Sequence, residues 1–188
     1  MEKSDIVITS AFRTAIGSLN GSLSSKTAPE LGSAVIKKCI ENSGLKKKEV
    51  DMVYMGQVLS AGVGQNPARQ ASILAGLSNE TTNTTVNQVC GSGLASIALA
   101  YNAIRCGDSN IIIAGGQESM SNAPHYIKLR KGEKINEDKI KDSMIIDGLW
   151  DVYNKYHMGM TAENVAKKFS IKREDQDKFA LNSQKKAI

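Results

Sequence analysis

Asn83-Thr84-Thr85-Val86-Asn87-Gln88-Val89-Cys90-Gly91-Ser92-Gly93-Leu94 begins as a β-branched run and ends inside a strongly apolar segment. That segment carries Leu94, Ile97, Ala98, Ala100, Tyr101 and Ile104 and stops at Gly107, and a second apolar run, Ile111-Ile112-Ile113-Ala114, follows. The pattern reads as a strand over 83–89, a turn holding a cysteine beside glycines, a helix, and a further strand over 111–114. The helix is apolar nearly all round, which predicts a buried one. The strand over 111–114 is too apolar for a sheet edge exposed on one face.

The same rhythm extends on both sides. Residues 5–10 read as a first strand, and residues 29–43 as a helix with Leu31, Ala34, Val35 and Cys39 at helical spacing. Thr27 or Ala28 opens it, Pro29 suits its first turn, and Gly44 stops it. A strand over 51–56 and a helix over 67–76 come next. Strand alternating with helix predicts an α/β fold, a mostly parallel sheet covered by helices on both faces. Beyond Gly115-Gly116 the pattern breaks into a polar stretch reaching about Tyr156, then two helix-like segments over 161–169 and 173–186. The expected division is 1–117, an α/β half lacking its final strand, and 118–188, the start of a second, truncated part. No stop signal follows the last helix, so the sequence reads as cut at Ile188.

With 188 residues, 41% hydrophobic and 23% charged, the chain sits near the globular average and away from disorder. No apolar run approaches the ~20 residues of a membrane span. Met1-Glu2-Lys3-Ser4-Asp5-Ile6-Val7-Ile8 has neither a signal core nor an Arg-rich transit character, so the expected location is cytoplasmic. Three cysteines without a C-x-x-C pair and only two histidines offer no set of metal ligands. Neither G-x-G-x-x-G nor G-x-x-x-x-G-K-[ST] is present, which argues against dehydrogenase and kinase chemistry.

The formal charge is +5. Residues 1–117 hold 10 positive and 8 negative side chains, and 118–188 hold 14 and 11, so the shorter stretch is the more basic. Its densest part, 128–141, has six cations (Lys128, Arg130, Lys131, Lys134, Lys139, Lys141) against Glu133, Glu137 and Asp138. Such a run is either a solvated face or a field for a polyanion. Aromatics are only 5% and Tyr126 alone lies close by, so no stacking series supports nucleic-acid binding. A small phosphorylated ligand fits better, and neither nucleic acid nor membrane is an expected partner.

Cys90 lies where a strand gives way to a helix. The free N–H groups and dipole at a helix N-terminus favour an ionised thiol, and Gly91 and Gly93 clear space for a substrate carbonyl. That suits a nucleophile in acyl transfer. The alternative is a buried structural cysteine beside a tight turn. Cys39, within an amphipathic helix, and Cys106, beside Gly107, read as packing residues.

Four segments taken together resemble the thiolase family. They are Asn87-Gln88-Val89-Cys90-Gly91-Ser92-Gly93-Leu94; Gly56-Gln57-Val58-Leu59 with Gly64-Gln65-Asn66-Pro67-Ala68-Arg69-Gln70; Gly115-Gly116-Gln117-Glu118-Ser119-Met120-Ser121; and Tyr156-His157-Met158-Gly159-Met160-Thr161-Ala162-Glu163-Asn164. Asn-Gln-x-Cys-Gly-Ser-Gly is similar to the biosynthetic, short-chain type, the acetyl-CoA acetyltransferases. The resemblance implies the thiolase fold, with a loop domain leaving the first half after Gly115-Gly116-Gln117-Glu118. It implies reversible condensation of two acetyl-CoA to acetoacetyl-CoA and CoA through an acetyl-cysteine at Cys90, with CoA as substrate and product and no other cofactor. It places His157 and Met158 along the pantetheine and acetyl end of the pocket, and Leu149 against CoA. It makes 128–141 the loop through which dimers form tetramers.

Family members are longer. The resemblance implies that a Gly-His-Pro histidine, an asparagine segment and a Cys-x-Gly cysteine belong to a second half, and His125 is no substitute for that histidine. The 188 residues alone are therefore expected to be inactive and to need the C-terminal half and a homo-oligomer. The alternative is an inert fragment serving as a CoA-binding or interaction module.

Overall fold

Thr27 starts the first helix, α1 (Ala28–Ser43), through a reciprocal cap. Its hydroxyl accepts the Glu30 N–H at 3.4 Å while the Glu30 carboxylate accepts the Thr27 N–H at 2.8 Å. Gly44, at φ +70°, closes the helix in the left-handed conformation. The computed structural model describes residues 5–132 and 134–188. The N-terminal reading at Met1, Glu2, Lys3 and Ser4, and Glu133 of the basic run, lie outside the described residues.

The described residues form two compact units, one ending at Gly148 and the other Leu149–Ile188. In the first, strands β1 (Met52–Gly56), β2 (Thr82–Val86) and β3 (Ile112–Gly116) make a parallel sheet in the order β2-β1-β3. Gly56 stands level with Val86 on one side and Gly116 on the other, so all three strands end in one row. α2 (Pro67–Leu74) lies with α1 over one face, and α3 (Ser92–Cys106) covers the other. Helices thus cover both faces, as the alternating pattern predicted.

The core on the α1 and α2 side joins Ile36 and Ile40 to Val50, Val53, Met55, Ala68, Ala71, Ala75 and Leu77. Its α1 face differs from the expected one. Pro29, Gly32, Ser33, Ile36 and Ile40 point inward, whereas Ala34 is exposed and Leu31, Val35 and Cys39 are half-buried. Small residues decide the packing: a Cβ added at Gly32 would come within 3.2 Å of the Ala71 Cβ, so α1 and α2 approach through positions that carry almost no hydrophobic signal.

Three further expectations are corrected. Residues 5–10 form no strand, and Val7 and Ile8 are 70% and 79% exposed, because no described strand lies beside them to complete a ladder. β3 is an edge of the sheet, despite its apolar sequence. α3 is not buried all round: Ser92, Ser96, Ala100 and Ala103 face the sheet while Leu94, Ile97, Leu99 and Tyr101 are exposed.

After β3 the chain turns back over the first unit, so residues 118–148 group with it in space although their composition sets them apart. β4 (His125–Tyr126) pairs antiparallel with β5 (Lys141–Asp142), which makes the basic run the loop of a two-stranded ribbon. In the second unit, β6 (Trp150–Asp151) and β7 (Tyr156–His157) form a hairpin whose turn is fastened by the Asp151 carboxylate, accepting from the N–H groups of Tyr153 and Asn154. Helices α4 (Met158–Lys168) and α5 (Arg173–Ala187) follow. Among the described residues, no helix is long and apolar enough to cross a membrane.

Candidate active site

The aligned strand ends bring three loops together, and Cys90 lies in the loop after β2, exposed and two residues ahead of α3. Ligands of parallel α/β sheets bind at this carboxyl edge. Val89, just before Cys90, has φ +49°, a left-handed conformation that costs a β-branched residue ~1–3 kcal/mol. Side chains hold it there. The Val89 N–H donates to Asn87 Oδ1 at 3.0 Å, and Ser92 Oγ donates to the Val89 carbonyl at 2.6 Å while accepting the Gln88 N–H at 2.8 Å. Ser92 is buried and closes a tight elbow that projects Cys90 outward.

Glycine lets the elbow's helix rest directly on the sheet. A Cβ added at Gly56 would lie 2.5 Å from the Ser92 carbonyl carbon and 2.7 Å from the Gly93 nitrogen, and a Cβ at Gly116 would lie 3.5 Å from the Gly93 Cα. Gly93 therefore packs toward the strands, and a Cβ at Gly91 would face the Gln88 carbonyl at 3.3 Å. The close approach is thus demanded by Gly56, whereas a Cβ at Gly93 would meet only ordinary contacts at 3.9 Å.

The segment after β3 is tied to the end of β1. Gln117 Nε2 donates to Gln57 Oε1 at 2.9 Å and to the Pro67 carbonyl at 3.1 Å, and Gln57 Nε2 donates to the Leu59 carbonyl at 2.9 Å. Glu118 accepts the Val58 N–H at 2.8 Å and the Leu59 N–H at 3.2 Å. Burial pushes the Glu118 carboxyl above its ordinary value, and those two N–H groups hold it back part of the way. Ser119 and Asn122 reach the Lys26 carbonyl, and Ser121 Oγ accepts the Asn20 N–H. The asparagine-proline motif is scaffold as well. Asn66, at φ +41°, caps α2 and accepts from Thr85 Oγ1, and Arg69 donates to the Thr81 and Asn79 carbonyls.

Leu149, His157 and Met158 all belong to the second unit. His157 pairs with Trp150 across the hairpin, and its Nδ1 accepts the Gly159 N–H at 3.0 Å, capping α4. The neutral ring therefore carries its proton on Nε2, which is left free to donate. Met158 lines an open apolar groove of about 450 Å³ with Thr161, Ala162, Val165, Ala166, Ile171 and Gln176. Leu149, half-buried, precedes Trp150 at the start of the hairpin. His125 lies in the first unit, 3.8 Å from the Asp142 carboxylate. Cys39 is half-buried, but Cys106 is exposed, contrary to a packing role within this chain. Among the described residues, no group of three or more His, Cys, Asp and Glu could hold a metal ion.

A family model for the thiolase N-terminal domain matches residues 6–188. The chain belongs to the thiolase family. It is 58% identical over 184 residues to an acetyl-CoA acetyltransferase of Cupriavidus necator, covering 97% of this chain and 47% of that protein. It is 56% identical to the enzyme of the same name from Pseudomonas aeruginosa, covering 98% and 47%. A thiolase from Ascaris suum, solved in complex with coenzyme A, superposes with a TM-score of 0.87 at 37% identity, over 93% of this chain and 46% of that one. This thiolase chain thus has the thiolase α/β fold and spans about half the length of the curated relatives it matches. Sequence reasoning found the cysteine elbow and quoted Gly56, Asn87, Ser92 and Glu118 within the family motifs, but gave those four no role of their own. A glycine ending a buried strand, and polar residues on both sides of the cysteine, were the available signals.

Proposed function

We propose that this chain supplies the nucleophile of a biosynthetic-type thiolase, an acetyl-CoA C-acetyltransferase completed by a C-terminal half. The observation that carries the reading is the exposed Cys90, presented by a strained elbow at the carboxyl edge of a parallel sheet. The names of the relatives and the coenzyme A bound to the Ascaris suum thiolase support the choice of substrate.

In the first step the Cys90 sulfur attacks the thioester carbonyl of acetyl-CoA, the carbonyl–sulfur bond to CoA breaks, and acetyl-Cys90 and the CoA thiolate result. In the second, the α-carbon of another acetyl-CoA, having lost a proton to a base, attacks the acetyl carbonyl. Acetoacetyl-CoA leaves, and the electron pair returns to the Cys90 sulfur. N–H groups at the α3 N-terminus, that of Cys90 included, stabilise the oxyanion of each tetrahedral intermediate. The reading assigns Leu149, His157 and Met158 to binding CoA, with the histidine and second cysteine that move protons coming from the complementary half. It makes the protein a cytoplasmic homodimer, or a tetramer in which the basic ribbon joins two dimers, and three free cysteines fit a reducing compartment.

Incubation of the complete subunit with radiolabelled acetyl-CoA tests this. The label is expected on the Cys90 peptide, released by neutral hydroxylamine and absent from Cys90→Ala. CoA binding without acetyl-Cys90 would instead make the protein a binding module.

A further inference from the structure

The elbow that presents Cys90 is strained at Val89, and a strained residue keeps its conformation only where its surroundings over-determine it. Ser92 acts within the elbow itself. A second set of bonds leads away from it. Asn87 accepts the Val89 N–H through Oδ1 and donates through Nδ2 to the Val58 carbonyl at 3.3 Å. The N–H groups of Val58 and Leu59 donate to the two oxygens of Glu118 at 2.8 and 3.2 Å. Asn87 follows β2, Val58 follows β1 and Glu118 follows β3, so the chain of bonds crosses the three strand ends in their order in the sheet. Gln57 holds the same turn from its other side through the Leu59 carbonyl.

Glu118 is a costly choice for a mere spacer. It is half-buried, and among the described residues no salt bridge pairs it with a cation. What a carboxylate offers here is two oxygens fixed in one plane, each making a charge-assisted bond roughly twice as strong as a neutral one. We propose that Glu118 is a positioning residue for Cys90: its carboxylate fixes the turn at Val58 and Leu59, and Asn87 carries that constraint to Val89. The inference rests on the reading of Cys90 as nucleophile and adds the device that aims it.

The test is the ratio of iodoacetamide labelling rates at Cys90 and Cys106 in the complete subunit, mapped by mass spectrometry. Glu118→Gln keeps the size but turns an N–H₂ toward a backbone N–H. It should lower the ratio about fivefold, equivalent to about one net hydrogen bond. Asn87→Ala should do the same, and the double variant should fall no further. Val89→Gly, which removes the cost of the left-handed conformation, should restore most of the ratio in either background, an effect that general loosening of the sheet would not produce. An unchanged ratio in Glu118→Gln, multiplicative losses in the double variant, or no rescue by Val89→Gly overturns the proposal. If Glu118→Gln exposes half-buried Cys39 to rapid labelling, the fold itself has loosened, and exposed Asn87→Ala with and without Val89→Gly decides. Iodoacetamide needs no CoA site, so failure of acetyl-CoA to label parent Cys90 counts against the proposed reaction and leaves this ratio to judge the clamp.

Discussion

Replacing Gly56 by alanine should unseat α3, the helix that follows Cys90. The added Cβ would lie 2.5 Å from the Ser92 carbonyl carbon and 2.7 Å from both the Gly93 nitrogen and the Ser92 Cβ, up to about 0.9 Å short of the 3.4 Å at which ordinary contact begins. Both partners are at fixed backbone, so no rotamer relieves the clash. The α3 N-terminus must withdraw from the sheet, which costs ~1–3 kcal/mol as overpacking. Withdrawal also breaks the 2.6 and 2.8 Å bonds of Ser92, at ~1 kcal/mol each. A total of ~3–5 kcal/mol is a large part of a domain's ~5–15 kcal/mol. Gly93→Ala, across the same contact, should do the opposite. Its Cβ has no neighbour nearer than 3.9 Å, and alanine within a helix gains ~0.5–1 kcal/mol over glycine.

Urea unfolding followed by far-UV circular dichroism separates the two, with a midpoint lowered by about 2 M for Gly56→Ala at a slope of ~2 kcal/mol/M and unchanged or raised for Gly93→Ala. Equal midpoints for Gly56→Ala and parent, or a larger loss in Gly93→Ala, would refute the packing argument.

Cys90 and Cys106 are both exposed near opposite ends of α3, but only Cys90 projects from the elbow, so iodoacetamide should label Cys90 faster in the folded protein, a ratio that should collapse to about one in urea. Asp51, held below its ordinary 3.8 by the N–H groups of Ile111 and Asn110, contributes stability above that value and loses it as pH falls through its folded pKa; Asp51→Asn should flatten this part of the acid unfolding curve. Glu118 has the reverse sign: raised by burial from 4.5, it favours the fold most below 4.5 and progressively less as pH rises, so Glu118→Gln should shrink that slope. The 188-residue chain alone should neither turn over acetoacetyl-CoA nor sediment as a cooperatively melting monomer; steady turnover, or such a monomer, would show that it is self-sufficient.

Among the described residues, periodicity located all five α-helices and three of the four expected strands, because capping and glycine stops act locally: Thr27 with Glu30, Gly44 and Gly107 mark ends that need no tertiary information. Cys90 was legible for the same reason, a cysteine at a strand-to-helix turn. What escaped is nonlocal. The inward face of α1 includes Gly32, which fits against Ala71 of α2, and buried Ser33, whose hydroxyl donates to the Glu30 carbonyl, and neither carries a hydrophobic signal. The Glu118 to Asn87 connection joins residues 31 positions apart in the chain, and only the parallel register that aligns three strand ends brings them into one network.

The misread elements share a cause. A helix apolar nearly all round is patterned for burial on every side, yet α3 covers only one of its faces, leaving Leu94 75% and Tyr101 52% exposed. The residues expected as a first strand expose Ile8 at 79%, and β3, composed for the middle of a sheet, lies at its edge. Each large apolar side chain left in water forgoes ~1.5–3 kcal/mol, so Leu94, Ile97, Leu99 and Ile8 together forgo up to an amount comparable with the net stability of a domain. Patterning therefore describes a larger molecule than these 188 residues build. The chain spans 47% of the length of its Cupriavidus necator relative, and this exposed apolar face belongs to the helix that begins two residues after Cys90. Burying Leu94 and Ile97 should therefore also hold the α3 N-terminus, with Ser92 and Gly93, against Gly56 and so steady the elbow that presents Cys90.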